Sequence, residues 1–173
     1  MLVQARNSLT SVQSTLCGYF GGGSYQGKNS TKIEKFSFPD EAFLSLFSTL
    51  SVARQGITGT QSSDQGYWAG GWSSDVFYQI DRQQFSTEQT SQLHLALCVG
   101  KGYATSVSNN INGYFGGGFN KNISNEIDGI AFITESMINP LSHLSSFRYG
   151  LASTYSSNNG YFAGGNFGQC SQV

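Results

Sequence analysis

One aromatic and glycine motif occurs four times in this chain of 173 residues. Its copies begin at Gly18, Gly66, Gly113 and Gly160, and each reads Gly-Tyr-(Phe/Trp)-(Gly/Ala)-Gly-Gly. The first glycines are therefore 48, 47 and 47 residues apart. A constant period of this length is typical of repeat proteins, in which each unit buries its apolar face against its neighbours.

Other residue types recur with the same period as the glycine motif. A cation stands twelve residues before each motif, at Arg6, Arg54, Lys101 and Arg148. An Ile-x-x-x-x-Phe segment follows the motif in three copies, which begin at Ile33, Ile80 and Ile127. A glutamate and a leucine then recur, at Glu41, Glu88 and Glu135 and at Leu50, Leu97 and Leu144. The chain thus divides into repeats of about 1–50, 51–97 and 98–144, and a half repeat over 145–173.

Each repeat is predicted to consist of strands. The Ile-x-x-x-x-Phe segment is short, rich in β-forming residues and bounded by polar turn residues. The Gly-Tyr-Phe segment follows a turn rich in Ser, Asn and Gln, which indicates a hairpin with the strand before it. The leucine-containing segment fits a fourth, edge strand, although residues 41–49 also have helical spacing. The sequence predicts an all-β fold of tandem four-stranded antiparallel units.

The double glycines that close the motif are predicted to be structural. They have no Cβ, so the backbone can take a positive φ there or pass close to a neighbouring sheet. They are Gly22 and Gly23, Gly70 and Gly71, Gly117 and Gly118, and Gly164 and Gly165.

Composition excludes several function classes. The net charge is −1 and only 11% of residues are charged, so no basic field exists for nucleic acid or an anionic membrane. No apolar run approaches the roughly 20 residues that span a bilayer, and no signal peptide is visible. Cys17, Cys98 and Cys170 are odd in number and lack metal-type spacing, which favours free thiols.

No catalytic or metal-binding constellation is visible. His94 and His143 are the only histidines, and they do not occupy equivalent repeat positions. A metal site usually needs three or four such ligands. One set of carboxylates recurs at Glu34, Asp81 and Asp128, and a second set recurs at Glu41, Glu88 and Glu135. A carboxylate that is present in every repeat more often caps a turn or pairs with the cation of the next repeat than takes part in catalysis. We therefore expect no enzyme activity, no cofactor and no metal.

The repeat resembles the kelch class of β-propeller blades, through the arginine before the first strand and the double glycine. The tryptophan that ends a kelch unit is missing. The sequence of the glycine motif is similar to repeats in virion and tail-associated proteins of bacteriophages. The similarity includes the segment that follows it, Ile-Asp-x-x-x-Phe-Ser-Thr-Glu. That resemblance implies a structural or adhesive protein of a virion or an extracellular fibre, which self-associates and contacts host glycans.

The resemblance also implies a ligand site. In kelch-like domains the start of the innermost strand and the loop after the double glycine meet at one mouth of the propeller. Arg6, Arg54, Lys101 and Arg148 would line that mouth, where they could bind an acidic peptide as a protein-interaction scaffold. The favoured alternative is that these cations pair with Glu41, Glu88 and Glu135 of a neighbouring blade. Loop aromatics suited to sugar stacking are Tyr25, Trp72, Tyr78 and Phe119.

The repeat count does not complete a propeller. The cation and glycine half occurs four times, whereas the Ile-x-x-x-x-Phe half occurs three times. A propeller needs about four to eight blades to close. Chains could complete one another, the sequence could be part of a longer protein, or four blades could close with the last one incomplete. We expect association into a homo-oligomer or with an assembly partner.

Overall fold

The computed structural model describes residues 4–120, 122–138, 142–156 and 158–167. Cys170 lies outside these ranges, as do residues 168 and 169 of the loop after Gly165. The described residues form strands, bridges and turns, with no helix among them.

Strands follow one another in the same order in each repeat. The first repeat forms β1 (Thr10–Gln13), β2 (Cys17–Gly21), a ribbon of β3 (Ser24–Tyr25) and β4 (Lys28–Asn29), β5 (Lys32–Ser37) and β6 (Ala42–Thr49). The second forms β7 (Thr58–Gln61), β8 (Gln65–Ala69), β9 (Gln79–Gln84) and β10 (Thr90–Ala96). The third forms β11 (Thr105–Ser108), β12 (Asn112–Gly116), a ribbon of β13 (Phe119–Asn120) and β14 (Asn122–Ile123), β15 (Ile127–Ala131) and β16 (Ser136–Ile138). The last forms β17 (Tyr149–Tyr155) and β18 (Gly160–Asn166).

These strands make three antiparallel sheets of four strands each and one hairpin. We call β1-β2-β5-β6 sheet 1, β7-β8-β9-β10 sheet 2, β11-β12-β15-β16 sheet 3, and β17-β18 hairpin 4. The predicted all-β fold of four-stranded antiparallel units is confirmed. The alternative of a helix over residues 41–49 is wrong, because β6 pairs with β5 along this segment.

Aromatic rings join each sheet to the next. Tyr19 of sheet 1 stacks on Phe85 of sheet 2, with ring centroids 5.2 Å apart and planes within 7°. Tyr67 of sheet 2 stacks in the same way on Phe132 of sheet 3, at 5.1 Å and 11°. Both tyrosines are buried, and burial raises the pKa of each phenol. The hydrophobic core therefore lies between the sheets, and each repeat buries apolar side chains against the next repeat.

The double glycines also bind the sheets together. Gly22 and Gly23 have φ angles of 67° and 89°, a region that residues with a Cβ rarely enter. Gly23 donates its N–H to the carbonyl oxygen of Arg54, the cation of the next repeat, at 2.9 Å. The equivalent bonds from Gly71 and Gly118 measure 2.9 Å and 2.8 Å. The positive φ and the close approach expected of these glycines are both present.

Candidate functional site

Three of the four repeat cations lie in buried ion pairs. Arg54 Nη2 is 2.9 Å from Asp81 Oδ2, and neither side chain is accessible to solvent. Arg6 pairs with Glu34 at 3.1 Å, and Lys101 pairs with Asp128 at 2.5 Å. Each pair joins the start of a repeat to the third strand of the same repeat.

Strand register explains why these residues meet. The acid on the third strand lies opposite the second aromatic of the glycine motif, as in the pairs Phe20↔Glu34, Trp68↔Asp81 and Phe115↔Asp128. Arg54 Nη2 also donates to the carbonyl oxygen of Trp68, on the strand next to that of Asp81, at 3.2 Å. Burial lowers the pKa of Arg54, while Asp81 opposes that shift.

The predicted cationic mouth is therefore wrong for Arg6, Arg54 and Lys101. Their charges are neutralised inside the sheets, so they do not face a ligand at the surface. The favoured alternative is also wrong in its partners, because the cations pair with Glu34, Asp81 and Asp128 rather than with the Glu41 set. Spacing could not decide between two acids that recur at the same period.

The second carboxylate set does link neighbouring sheets, but through other cations. Glu88 accepts from Lys35 of sheet 1 at 2.5 Å, and Glu135 accepts from Arg82 of sheet 2 at 3.0 Å. These pairs remain partly exposed, with the four side chains between 21% and 34% accessible. The bond with Glu88 raises the pKa of Lys35. Lys35 and Arg82 were missed in the sequence because the third repeat has Gly129 at this position.

Two of the predicted loop aromatics come together in a row. Trp72 and Phe119 lie 6.1 Å apart between ring centroids, and Tyr149 of hairpin 4 continues the row 6.0 Å beyond Phe119. Trp72 bridges to Gln55, and Phe119 bridges to Gly102, so the row lies beside the starts of the innermost strands. All three rings are half-buried. Tyr149 was not predicted, because it occupies a position held by Asn, Gln and Gly in the other repeats.

The other two predicted aromatics lie outside this row. Tyr25 is 40% exposed in the β3–β4 ribbon, and Tyr78 is 47% exposed beside Gly100. No ring contact joins either of them to the row within the described ranges. Asn29 donates its side-chain amide to the carbonyl oxygen of Trp72 at 3.2 Å, which adds a polar group to the row.

A polar cavity of about 230 Å³ lies at the opposite ends of the innermost hairpins. Turn residues of three sheets line it with hydroxyl and amide groups, and Tyr155 of hairpin 4 closes one side. Sequence reasoning identified these turns but did not predict that they converge. The described residues contain no cluster of three or more His, Cys, Asp or Glu side chains that could hold a metal ion. They also include no helix of membrane-spanning length and hydrophobicity.

Arg148, the fourth cation, is half-buried and directly precedes β17. Its Nη1 donates to the carbonyl oxygen of Gly164 at 2.9 Å, and its Nε donates to Ser146 at 2.7 Å. No acid pairs with it among the residues that the structure describes. A cavity of about 420 Å³ adjoins it, where the other repeats have their third strand.

The sequence matches no family model and no curated protein. The solved structure of a protein named YjhT is similar to 95% of this chain, with a TM-score of 0.80 and 17% sequence identity. The chain spans 60% of the length of that protein chain. At this identity the likeness concerns the fold alone, and it identifies the sheet arrangement as β-propeller-like.

Proposed function

We propose that this chain is a structural and adhesive repeat domain, whose copies pack end to end and whose aromatic row contacts glycans. The observation that carries the proposal is an unmatched stacking pair at the two ends of the repeat array. Phe38 of sheet 1 is equivalent to Phe85 and Phe132 and is 43% exposed. Tyr161 of hairpin 4 is equivalent to Tyr19 and Tyr67 and is 52% exposed. Tyr161 of one copy would stack on Phe38 of the next.

Backbone contacts support the same orientation of copies. A Cβ added to Gly22 would lie 2.8 Å from the carbonyl oxygen of Arg54, whereas one added to Gly164 would meet nothing within 4 Å. Gly164 thus has room for the carbonyl of Arg6 from the following copy. Phe162 of hairpin 4 packs against Gly116 of sheet 3, and Phe20 of a following copy would pack against Ala163 in the same manner. Because the two faces differ, this interface is head-to-tail and can repeat.

Gly18 provides a sharp test of end-to-end packing. A Cβ at the equivalent Gly66 would lie 2.5 Å from Val12 of the preceding sheet, but at Gly18 the nearest atom is 3.5 Å away within its own sheet. Gly18→Val should therefore leave the monomer folded and block packing against hairpin 4 of the preceding copy. We expect light scattering behind a sizing column to give multiples of 18.7 kDa for the parent and 18.7 kDa for the variant. A parent that is monomeric at high concentration, or a variant that assembles like it, refutes the proposal.

The aromatic row supports the glycan component. Half-buried rings of Trp72, Phe119 and Tyr149 offer apolar faces for sugar rings, and Asn29 and Asn166 bring amide groups near them. Binding to an immobilised panel of bacterial surface oligosaccharides tests this component. We expect Phe119→Ser to remove binding, Tyr78→Ser to retain it, and added salt to have little effect. Binding that survives Phe119→Ser contradicts this assignment.

The proposed location of the protein rests on the sequence of the repeat motif. The glycine motif and the Ile-Asp segment resemble repeats of phage virion and tail proteins, which supports a place in a virion or an extracellular fibre. The kelch resemblance and the β-propeller-like arrangement support the same blade architecture. The alternative, an acidic peptide at a cationic mouth, loses its basis because three of the four cations are buried.

A further inference from the structure

Hairpin 4 has an outer strand, β18, with no neighbour on its far side among the described strands. In sheets 1, 2 and 3 a third strand pairs with the glycine-motif strand, but no described strand pairs with the outer edge of β18. The 420 Å³ cavity at this edge is lined by apolar side chains that include Ile127, Leu144 and Phe162. Leu144 is half-buried, whereas its equivalents Leu50 and Leu97 are 2% and 3% exposed. Ile127 is likewise half-buried, whereas its equivalents Ile33 and Ile80 are 1% and 0% exposed, so apolar surface remains open here.

Arg148 already occupies the position that its equivalents use to bind an acid. Its Nη1 donates to the carbonyl oxygen of Gly164, as Arg6 Nη1 donates to that of Gly22. In the first repeat the guanidinium then also reaches Glu34 on the third strand. The guanidinium of Arg148 is therefore oriented toward the place where such an acid would lie.

A second donor is present at the same place. Asp81 accepts the backbone N–H of Ser51 at 3.0 Å, and Asp128 accepts that of Cys98 at 2.9 Å. Ser145 is the equivalent of Ser51 and Cys98, and it lines the cavity beside Arg148. An arginine and a backbone N–H together form a site for a carboxylate.

We propose that the outer edge of β18 binds an extended segment of another chain that carries an Ile-Asp or Ile-Glu dipeptide. The register of Phe20↔Glu34 and Gly21↔Ile33 places the acid opposite Phe162 and the isoleucine opposite Ala163. The acid pairs with Arg148 and Ser145, and the isoleucine lies against the apolar side chains that line one part of the cavity. The added strand is antiparallel to β18 and forms a second row of backbone hydrogen bonds, next to the row that joins β17 and β18.

Charge complementarity and three internal precedents identify this occupant. The dipeptides Ile33-Glu34, Ile80-Asp81 and Ile127-Asp128 are the ones in this sequence, and each is held within its own sheet. None of these three segments is therefore free to fill the site within the same chain, and the proposed strand comes from another chain. This site uses the edge of β18, whereas end-to-end packing uses its face, so the two inferences can fail independently.

A peptide of residues 79–96, which carries the Ile-Asp dipeptide and the following strand, serves as the probe. We expect the labelled peptide to bind the full 173-residue chain in fluorescence anisotropy. Asp81→Asn in the peptide should weaken binding by roughly tenfold or more, since a hydrogen bond to a charged group is lost. This variant leaves the protein unchanged, so its effect cannot arise from misfolding.

Variants of the protein complete the test. Arg148→Gln in the protein should weaken binding of the parent peptide by the same factor. The Asp81→Asn peptide should bind this variant and the parent protein equally, because the two changes remove the same interaction. Lys28→Gln, at an exposed cation, should have no effect, and Gly18→Val should bind the peptide like the parent. The proposal is overturned if the parent peptide does not bind, or if it binds equally well with asparagine at position 81.

Discussion

The buried pair of Arg54 and Asp81 allows a quantitative test of what holds a repeat together. Replacing Asp81 with Asn leaves the Arg54 guanidinium uncompensated in a site that solvent does not reach. Breaking one partner of a fully buried ion pair costs about 3–5 kcal/mol, because the remaining charge keeps its desolvation penalty. Asparagine keeps the size of the side chain, so little of this cost comes from packing. We expect Asp81→Asn to lower the free energy of unfolding by about 3 kcal/mol.

Urea unfolding followed by tryptophan fluorescence measures this loss directly. Trp68 is fully buried, and its carbonyl oxygen accepts from Arg54, so it reports on the same site. The matched control is Glu88→Gln, which breaks a partly exposed pair with Lys35. Exposed pairs contribute about 1 kcal/mol or less, so the control should be several-fold milder.

Replacing both partners separates the charge from the packing. The double variant Arg54→Met with Asp81→Leu removes both charges and keeps an apolar filling of the site. Such replacements are often neutral or stabilising, so we expect it to recover most of the stability that Asp81→Asn loses. The reasoning is refuted if Asp81→Asn costs no more than Glu88→Gln, or if the double variant is as unstable as the single one.

Two further predictions concern the packing between sheets. Gly113→Ala should cost about 1–3 kcal/mol, because its Cβ would lie 2.6 Å from Thr60 of the preceding sheet. The equivalent Gly18→Ala should be nearly neutral in the same urea titration, because its Cβ would meet Phe20 and Phe38 at the ordinary contact distances of 3.5 Å and 3.6 Å. Burial, reinforced by the Glu135 carboxylate, raises the pKa of Tyr67 above its usual 10.0, so the folded state holds this proton more tightly than the unfolded state. The stability from this group is complete below pH 10.0 and is lost as the pH rises above it, so Tyr67→Phe should reduce the slope of stability against pH there. Equal costs for the two glycines, or an unchanged alkaline slope, would contradict these assignments.

Local features of the fold were accessible from the sequence. The motif at Gly18 and its copies fixed the period, and the Ile33 segment and its copies indicated strands by β-propensity and polar boundaries. The hairpin before each motif followed from its turn residues. These features depend on neighbours along the chain, which the sequence displays directly.

The pairing of charges could not be obtained in the same way. Asp81 follows Arg54 by 27 residues and Glu88 follows it by 34, and both acids recur with the period of the cations. Both Asp81 and Glu88 therefore have the charge and the spacing expected of a partner for Arg54. The register Trp68↔Asp81 decides between them, because it places Asp81 over the guanidinium and leaves Glu88 to pair with Lys35.

The sequence by itself determined the repeat, its strands and the structural role of the double glycines. Only the tertiary structure decided which rings stack between sheets, and hence that Phe38 and Tyr161, like Tyr114, lack among the described residues the partner ring that their equivalents have. It also decided that Arg148, unlike the other three cations, lies beside a cavity and pairs with no acid among the described residues. The physical reason is that strand period and propensity act along the chain, whereas burial and ion pairing depend on which neighbouring sheet covers each residue.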